Sequence, residues 1–150
     1  MHMADALVSP PVATGMAVAS LAVGAYSIFK IKKENKPENI PVMGVMGAFV
    51  FATQMVNFTI PGTGSSGHLC GGLLLSALIG PYGGFLSMMA ILLLQCLLFA
   101  DGGLMAYGCN VWNMAFYACF FGYFCIYKPI LGKNPSKKKI LIASILGSVL

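Results

Sequence analysis

The sequence predicts an all-α integral membrane protein, a polytopic bundle of about six helices with an inserted N-terminal segment. Three observations predict it. The chain of 150 residues is 58% hydrophobic and only 9% charged, with a mean hydropathy of +0.83. A soluble domain carries roughly 25% charged residues, so the polar surface here is too scarce to cover a soluble globule. Apolar runs alternate with short polar breaks along the whole length. All nine lysines, with no arginine, fall at the end of the first run or in two loops. One compact membrane domain over residues 1–150 is the simplest organisation. The net charge of +5 could suggest a nucleic-acid partner, but the lysine distribution reads as membrane topology, and no nucleic acid is expected.

The first apolar run covers residues 12–29 and is entered through Pro10 and Pro11. Proline suits the first helical turn, where its missing N–H costs nothing. "KIKKENKPENIP" follows, then a second run over 42–58. The uncharged loop "TIPGTGSSGH" leads to a third run at 69–80, which ends in "GPYGG". The fourth run, 85–100, ends in "DGG"; the fifth, 104–127, ends in "KPILGKNPSKKK". A spanning helix needs about 20 residues, roughly 17–25, and the first, second and fifth runs fit. The third and fourth predict two shorter helices, at least one starting within the membrane. Such a start requires that the freed backbone be buried in protein or line a cavity. The sixth run, 140–150, is too short to span, and the chain therefore reads as a C-terminally truncated bundle. Gly67 and Gly71 read as a small-xxx-small pair that brings the third helix close to its neighbours.

The lysines draw the topology. The positive-inside rule makes both lysine loops cytoplasmic. The first run then travels inward, so the N-terminus is external, and the parity of the remaining runs places "TIPGTGSSGH" and Asp101 outside as well. His2 and His68 fall on that same external side. A multi-pass protein of the cell membrane is expected. A cleaved signal peptide needs a basic stretch before its apolar core, whereas the start here carries Asp5 and no lysine. The five cysteines form no CxxC pair and are odd in number, so each reads as a small buried hydrophobe.

Position 2 has a chemistry of its own. The α-amine of Met1, the backbone nitrogen of His2 and its imidazole Nδ1 can close two fused chelate rings. With the peptide N–H deprotonated, three nitrogens lie in one plane, and His68 is the candidate fourth. Square-planar nitrogen ligation points to Ni(II) or Cu(II), whereas zinc prefers a tetrahedron. An α-amine has a pKa of about 7.7–8.0, so deprotonating it for a metal costs little at neutral pH. Two other classes compete. Met1 and Met3 form an M-x-M pair that suits Cu(I). Alternatively, His2 and His68 serve as axial haem ligands of an electron-transfer subunit, although other haem-pocket signals are few.

The start "MHMADALVSP", the loop "PGTGSSGHLCGGLLL" and the block "LLLQCLLFADGGLMAYGCNVWNM" carry a resemblance. In this order they resemble the NikM/CbiM family, the nickel/cobalt substrate-binding membrane components (S-components) of energy-coupling-factor (ECF) transporters, with the nickel branch nearest. The resemblance covers residues 1–114. It implies a helical membrane protein that captures Ni(II) outside, with Co(II) as the other candidate ion. It also implies partners: a pair of ATPase subunits, a coupling transmembrane T-component and a small accessory membrane component like NikN or CbiN. Met1, His2 and His68 match the family's metal-binding positions, and the family's N-terminal segment dips into the protein from the outer face.

Asp5, Gln95, Asp101, Asn110 and Asn113 are polar residues in or beside apolar segments. Such groups are expensive in a membrane and face the bundle interior. They are expected either to orient imidazole and loop around a metal or to tie helices together. Cys70, next to His68, reads as a thiol filling a small space, with a fifth ligand as the alternative. No P-loop, paired carboxylate or Ser/His/Asp set is present, so the chain is not expected to be an enzyme; any ATP hydrolysis would belong to a partner.

Overall fold

The computed structural model describes residues 2–34, 36–61, 65–132 and 134–149. Among these residues, six helices and one hairpin follow a short N-terminal segment. That segment carries a single 3-10 turn at Asp5–Leu7. Helix α1 (Pro10–Glu34) starts on the two prolines, as their fixed φ allows. Helix α2 (Asn39–Gln54) runs into strand β1 (Asn57–Ile60), which pairs antiparallel with β2 (Ser65–His68). Helix α3 (Gly72–Ile79) and helix α4 (Pro81–Phe99) meet at Gly80, whose φ of 83° makes the sharp turn. Helix α5 (Tyr107–Leu131) is continuous, with i→i+5 pitch over Trp112–Tyr127, and α6 covers Lys137–Val149.

The helices α1, α4 and α5 are long and apolar enough to cross a membrane. Eight-residue α3 rises only about 12 Å, under half of a hydrocarbon core of about 30 Å. The third and fourth runs do form two helices, but only α3 is short; α4, at 19 residues, is of spanning length, while α2, at 16 residues, falls short of the span expected of the second run because the chain leaves the helix at Gln54 for strand β1. Leu75, Ser76 and Ile79 of α3 are all buried.

Packing follows the logic of a membrane bundle rather than a soluble one. The inward face of α1 is a seam of small residues, Ala13, Ser20, Gly24 and Ser27, while Val18, Leu21 and Phe29 point outward. Small residues let backbones approach, since lipid already satisfies large apolar side chains. A Cβ on Gly108 would lie 2.5 Å from the backbone nitrogen of Ala17, so α5 meets α1 there at backbone contact. The Ser20 hydroxyl donates to the Gly108 carbonyl at 3.2 Å. The core proper gathers Phe85, Met88 and Leu92 of α4, Leu75 of α3, Val50 of α2 and Met114 of α5.

Two differences from the sequence reading stand out. The loop "TIPGTGSSGH" contains a hairpin, because Asn57 pairs with His68 and Phe58 with Gly67. Gly67 therefore lies on a strand and not on a helix face. A Cβ there would meet the Phe58 ring at 2.7 Å, so the glycine makes room for the cross-strand aromatic. The close approach of α3 is instead made by Gly71 against Val50 and Gly72 against Ala118 and the Met114 carbonyl.

The helix directions sort the molecule into two ends. Gly24 of α1 faces Met89 of α4, and Tyr26 meets Tyr82 edge-on at 5.9 Å, so α1 and α4 are antiparallel. The start of α5 lies beside the first turns of α1. One end thus gathers the N-terminal segment and the ends of α2 and α4 together with the start of α5. The lysine-bearing ends of α1 and α5 lie at the other.

Candidate metal centre

The N-terminal segment is tied to the bundle by hydrogen bonds that its sequence makes available. The amide of Met3 donates to Asn110 Oδ1 at 2.7 Å, and Asn110 Nδ2 donates back to the Met3 carbonyl at 3.3 Å. That carbonyl also accepts the Gly103 amide at 3.0 Å. Asp5 Oδ1 accepts the amide of Ala106 at 3.0 Å, just ahead of the first turn of α5. A carboxylate is stabilising there because the first amides of a helix lack partners. Asn113 Nδ2 donates to Met3 Sδ at 3.5 Å. The "DGG" stretch gives the segment its passage. A Cβ on Gly102 would press on His2 at 3.1 Å and on Asn110, and one on Gly103 would lie 2.5 Å from the Asp5 nitrogen. Gly102 also needs its φ of 92°.

His2 is thereby set into the bundle, its side chain only 3% exposed. Its Nε2 lies 3.2 Å from Gln95 Oε1, and its Nδ1 lies 3.1 Å from Asp101 Oδ1. The second contact is close but off the axis that a hydrogen bond requires, so Nδ1 has no hydrogen-bond partner among the described residues. Burial pulls the imidazole pKa below its ordinary 6.5, against the opposing attraction of Asp101. A neutral imidazole is the form that binds metal.

The hairpin brings in the second imidazole. Its ring lies 5.1 Å from that of His2, centroid to centroid, at 32°. The Nδ1 of His68 is 3.0 Å from the Leu69 carbonyl. A carbonyl only accepts, so Nδ1 carries the proton and Nε2 is left a bare lone pair. That Nε2 is buried and has no partner. Asp101 Oδ2 is in the same condition. Three buried groups, His2 Nδ1, His68 Nε2 and Asp101 Oδ2, thus lack hydrogen-bond partners among the described residues at one end of the bundle. A buried orphan of this kind is expensive. Orphans that are acceptors attract a cation.

The structure gathers His2, His68, Gln95, Asp101, Asn110 and Asp5 at this end, and Asn113 reaches it through Met3. Met1 lies outside the described residues. Cys70 donates its thiol hydrogen to the Met114 carbonyl at 3.4 Å, but it is exposed, as is Cys125, and Cys96 is half-buried, so only Cys109 and Cys119 are the buried hydrophobes expected of all five. Among the described residues, no three His, Cys, Asp or Glu side chains converge as a ligand set. A cation held by the two imidazoles would therefore draw its remaining donors from outside that set. At 5.1 Å, centroid to centroid, the two rings stand closer than axial ligands on either side of a porphyrin plane would.

Sequence reasoning missed Gln54. It is fully buried on the last turn of α2, and its Oε1 accepts from Gln95 Nε2 at 3.0 Å. Its signal was available: Gln54 and Asn57 are two amides near the end of an otherwise apolar run over 42–58.

Comparison with known proteins agrees with this architecture. A family model described as CbiM, cobalt uptake substrate-specific transmembrane region, matches residues 2–150. A putative fused nickel transport protein NikMN from Archaeoglobus fulgidus is 42% identical over 136 residues, covering 91% of this chain and 44% of that protein. A cobalt transport protein CbiM from Acetoanaerobium sticklandii is 34% identical over 147 residues, covering 97% of this chain and 60% of its own. A crystal structure of a transition metal transporter superposes with a TM-score of 0.87 at 34% identity, covering 99% of this chain and 63% of that one. The chain spans 44% and 38% of the length of two fused nickel transport proteins that it resembles. The match along 2–150 and these two levels of identity show that the chain belongs to the CbiM family.

Proposed function

We propose that this chain is the metal-capturing subunit of a nickel importer, taking Ni(II) from the external face as its transported substrate. The observation that carries this reading is the set of three buried, unpartnered groups on His2, His68 and Asp101 beside a docked N-terminal segment. The Met1 amine, the His2 backbone nitrogen and Nδ1 form two fused chelate rings, and His68 Nε2 supplies the fourth nitrogen of a square plane. Asp101 stays outside the plane and offsets the charge of the ion. Planar nitrogen ligation favours Ni(II). Uptake needs an ATPase pair, a coupling transmembrane T-component and an accessory component like NikN, as expected of an ECF transporter. The names of fused nickel relatives support the accessory component.

Cobalt is the second reading, because the matching family model is described for cobalt uptake. Equilibrium dialysis of the purified chain in detergent against Ni(II) and Co(II) separates the two. Nickel is expected to bind one per chain and to outcompete cobalt. His2→Ala and His68→Ala are each expected to abolish binding. Unchanged Ni(II) affinity in His2→Ala would overturn the assignment of this site.

A further inference from the structure

A buried amide chain leads from the bundle core to His2. Gln54 is fully buried, and its Nε2 points to the sulfur of Met88 at 3.8 Å. Gln95, also fully buried, donates from Nε2 to Gln54 Oε1 at 3.0 Å. This spends the amide's donor face inward and leaves its Oε1 outward, 3.2 Å from His2 Nε2. An amide oxygen only accepts. His2 Nε2 therefore carries the hydrogen, and in the neutral ring Nδ1 is the bare nitrogen. On the other side of the ring the Asp101 carboxylate favours a proton on Nδ1, but its Oδ1, 3.1 Å away, stands off the line that an N–H donor would need, so the Gln95 hydrogen bond decides the tautomer.

We infer that Gln54 and Gln95 act as positioning residues that lock His2 in its Nε2–H tautomer. The lock holds before any ion arrives. A free imidazole interconverts between two tautomers, and only one offers Nδ1 to a chelate that begins at the chain terminus. Fixing that tautomer in the empty protein spares the incoming ion the work of reorganising the ring, as outer partners of metal-bound histidines do. The inference rests on the proposed role of Nδ1 in the site, but the lock itself is a property of the metal-free chain.

The test is a two-bond 1H–15N correlation spectrum of histidine-labelled, metal-free protein in detergent, with His68→Gln used to assign the two rings. The wild type is expected to show the Nε2–H pattern at His2. Gln95→Leu is expected to populate the Nδ1–H form and to weaken Ni(II) binding about tenfold, within the range of outer-partner losses. Gln95→Glu keeps an acceptor and is expected to restore the pattern. Gln54→Leu frees the Gln95 amide to rotate and is expected to give mixed tautomers. An Nδ1–H pattern in the wild type, or an unaltered pattern in Gln95→Leu, would overturn the lock. The wild-type spectrum decides even where a variant does not fold. Absence of Ni(II) binding in a wild type with the Nε2–H pattern would overturn the nickel reading and leave the lock standing.

Discussion

Asp101 is the residue whose surroundings the proposed ion would change most. Its carboxylate faces a bare imidazole nitrogen at 3.1 Å, and its second oxygen has no partner. Two electron-rich groups this close are unfavourable unless a cation joins them. Asp101→Asn removes the charge and keeps the shape. It is expected to lower Ni(II) affinity by about 10–100-fold in a competition titration while leaving the apo protein as stable or more so. Acid acts on the same contact. The folded pKa of His2 lies below the unfolded 6.5, so the unfolded chain takes up the proton first as pH falls. The stabilisation is fully present above 6.5 and is lost as pH falls from there through the lower folded value. Thermal unfolding scans of the metal-free protein are expected to show a drop in midpoint over that window, and the drop should be smaller in His2→Gln.

At the scale of elements, the N-terminal segment is held by a few bonds to the start of α5 and by glycines that make room for it. Gly103→Ala would drive a methyl group into the Asp5 backbone. Proteolysis near residues 2–8 is expected to accelerate in that variant, with the bundle itself intact. Asp5→Ala removes the acceptor for the Ala106 amide and is expected to cost about 1 kcal/mol, as the loss of a helix cap does. Gly108→Leu strikes a different element pair. Its side chain would meet the Ala17 backbone, so a lowered unfolding midpoint of the whole bundle is the expected result. The helices themselves were legible in the sequence, since apolar runs of spanning length with polar breaks leave few alternatives in lipid. Pro10, Gly80 and the "DGG" stretch marked their boundaries from residue type alone. The hairpin was not legible: "TIPGTGSSGH" has turn chemistry throughout and no alternation of apolar and polar residues to announce a strand. The amide chain was equally hidden, because Gln54 and Gln95 are 41 positions apart and meet only when α2 packs on α4. His2 and His68 could be paired in advance because the lysine map put both on one side.

Across the whole molecule, charge and chemistry segregate to opposite ends. His2, Asp101 and His68 share one end, while Lys30, Lys32 and Lys33 close α1 and Lys128 follows the spanning part of α5 at the other. On the positive-inside rule, the orientation proposed here has the lysine end in the cytoplasm. In intact cells carrying a background with the native cysteines replaced, Ala4→Cys is expected to react with an impermeant maleimide and Ser136→Cys to be protected. The reverse pattern would invert the proposed orientation and leave the site facing inward. The central claim is that the amine of Met1 is itself a ligand, which makes the register of the chain start part of the chemistry. The most direct measurement is the visible absorption of Ni(II) added to protein beginning at Met1, compared with the same protein carrying one extra glycine before Met1. A planar Ni(II) d–d band with saturable binding is expected in the first and should vanish in the second. An identical band and affinity in both proteins would contradict the account.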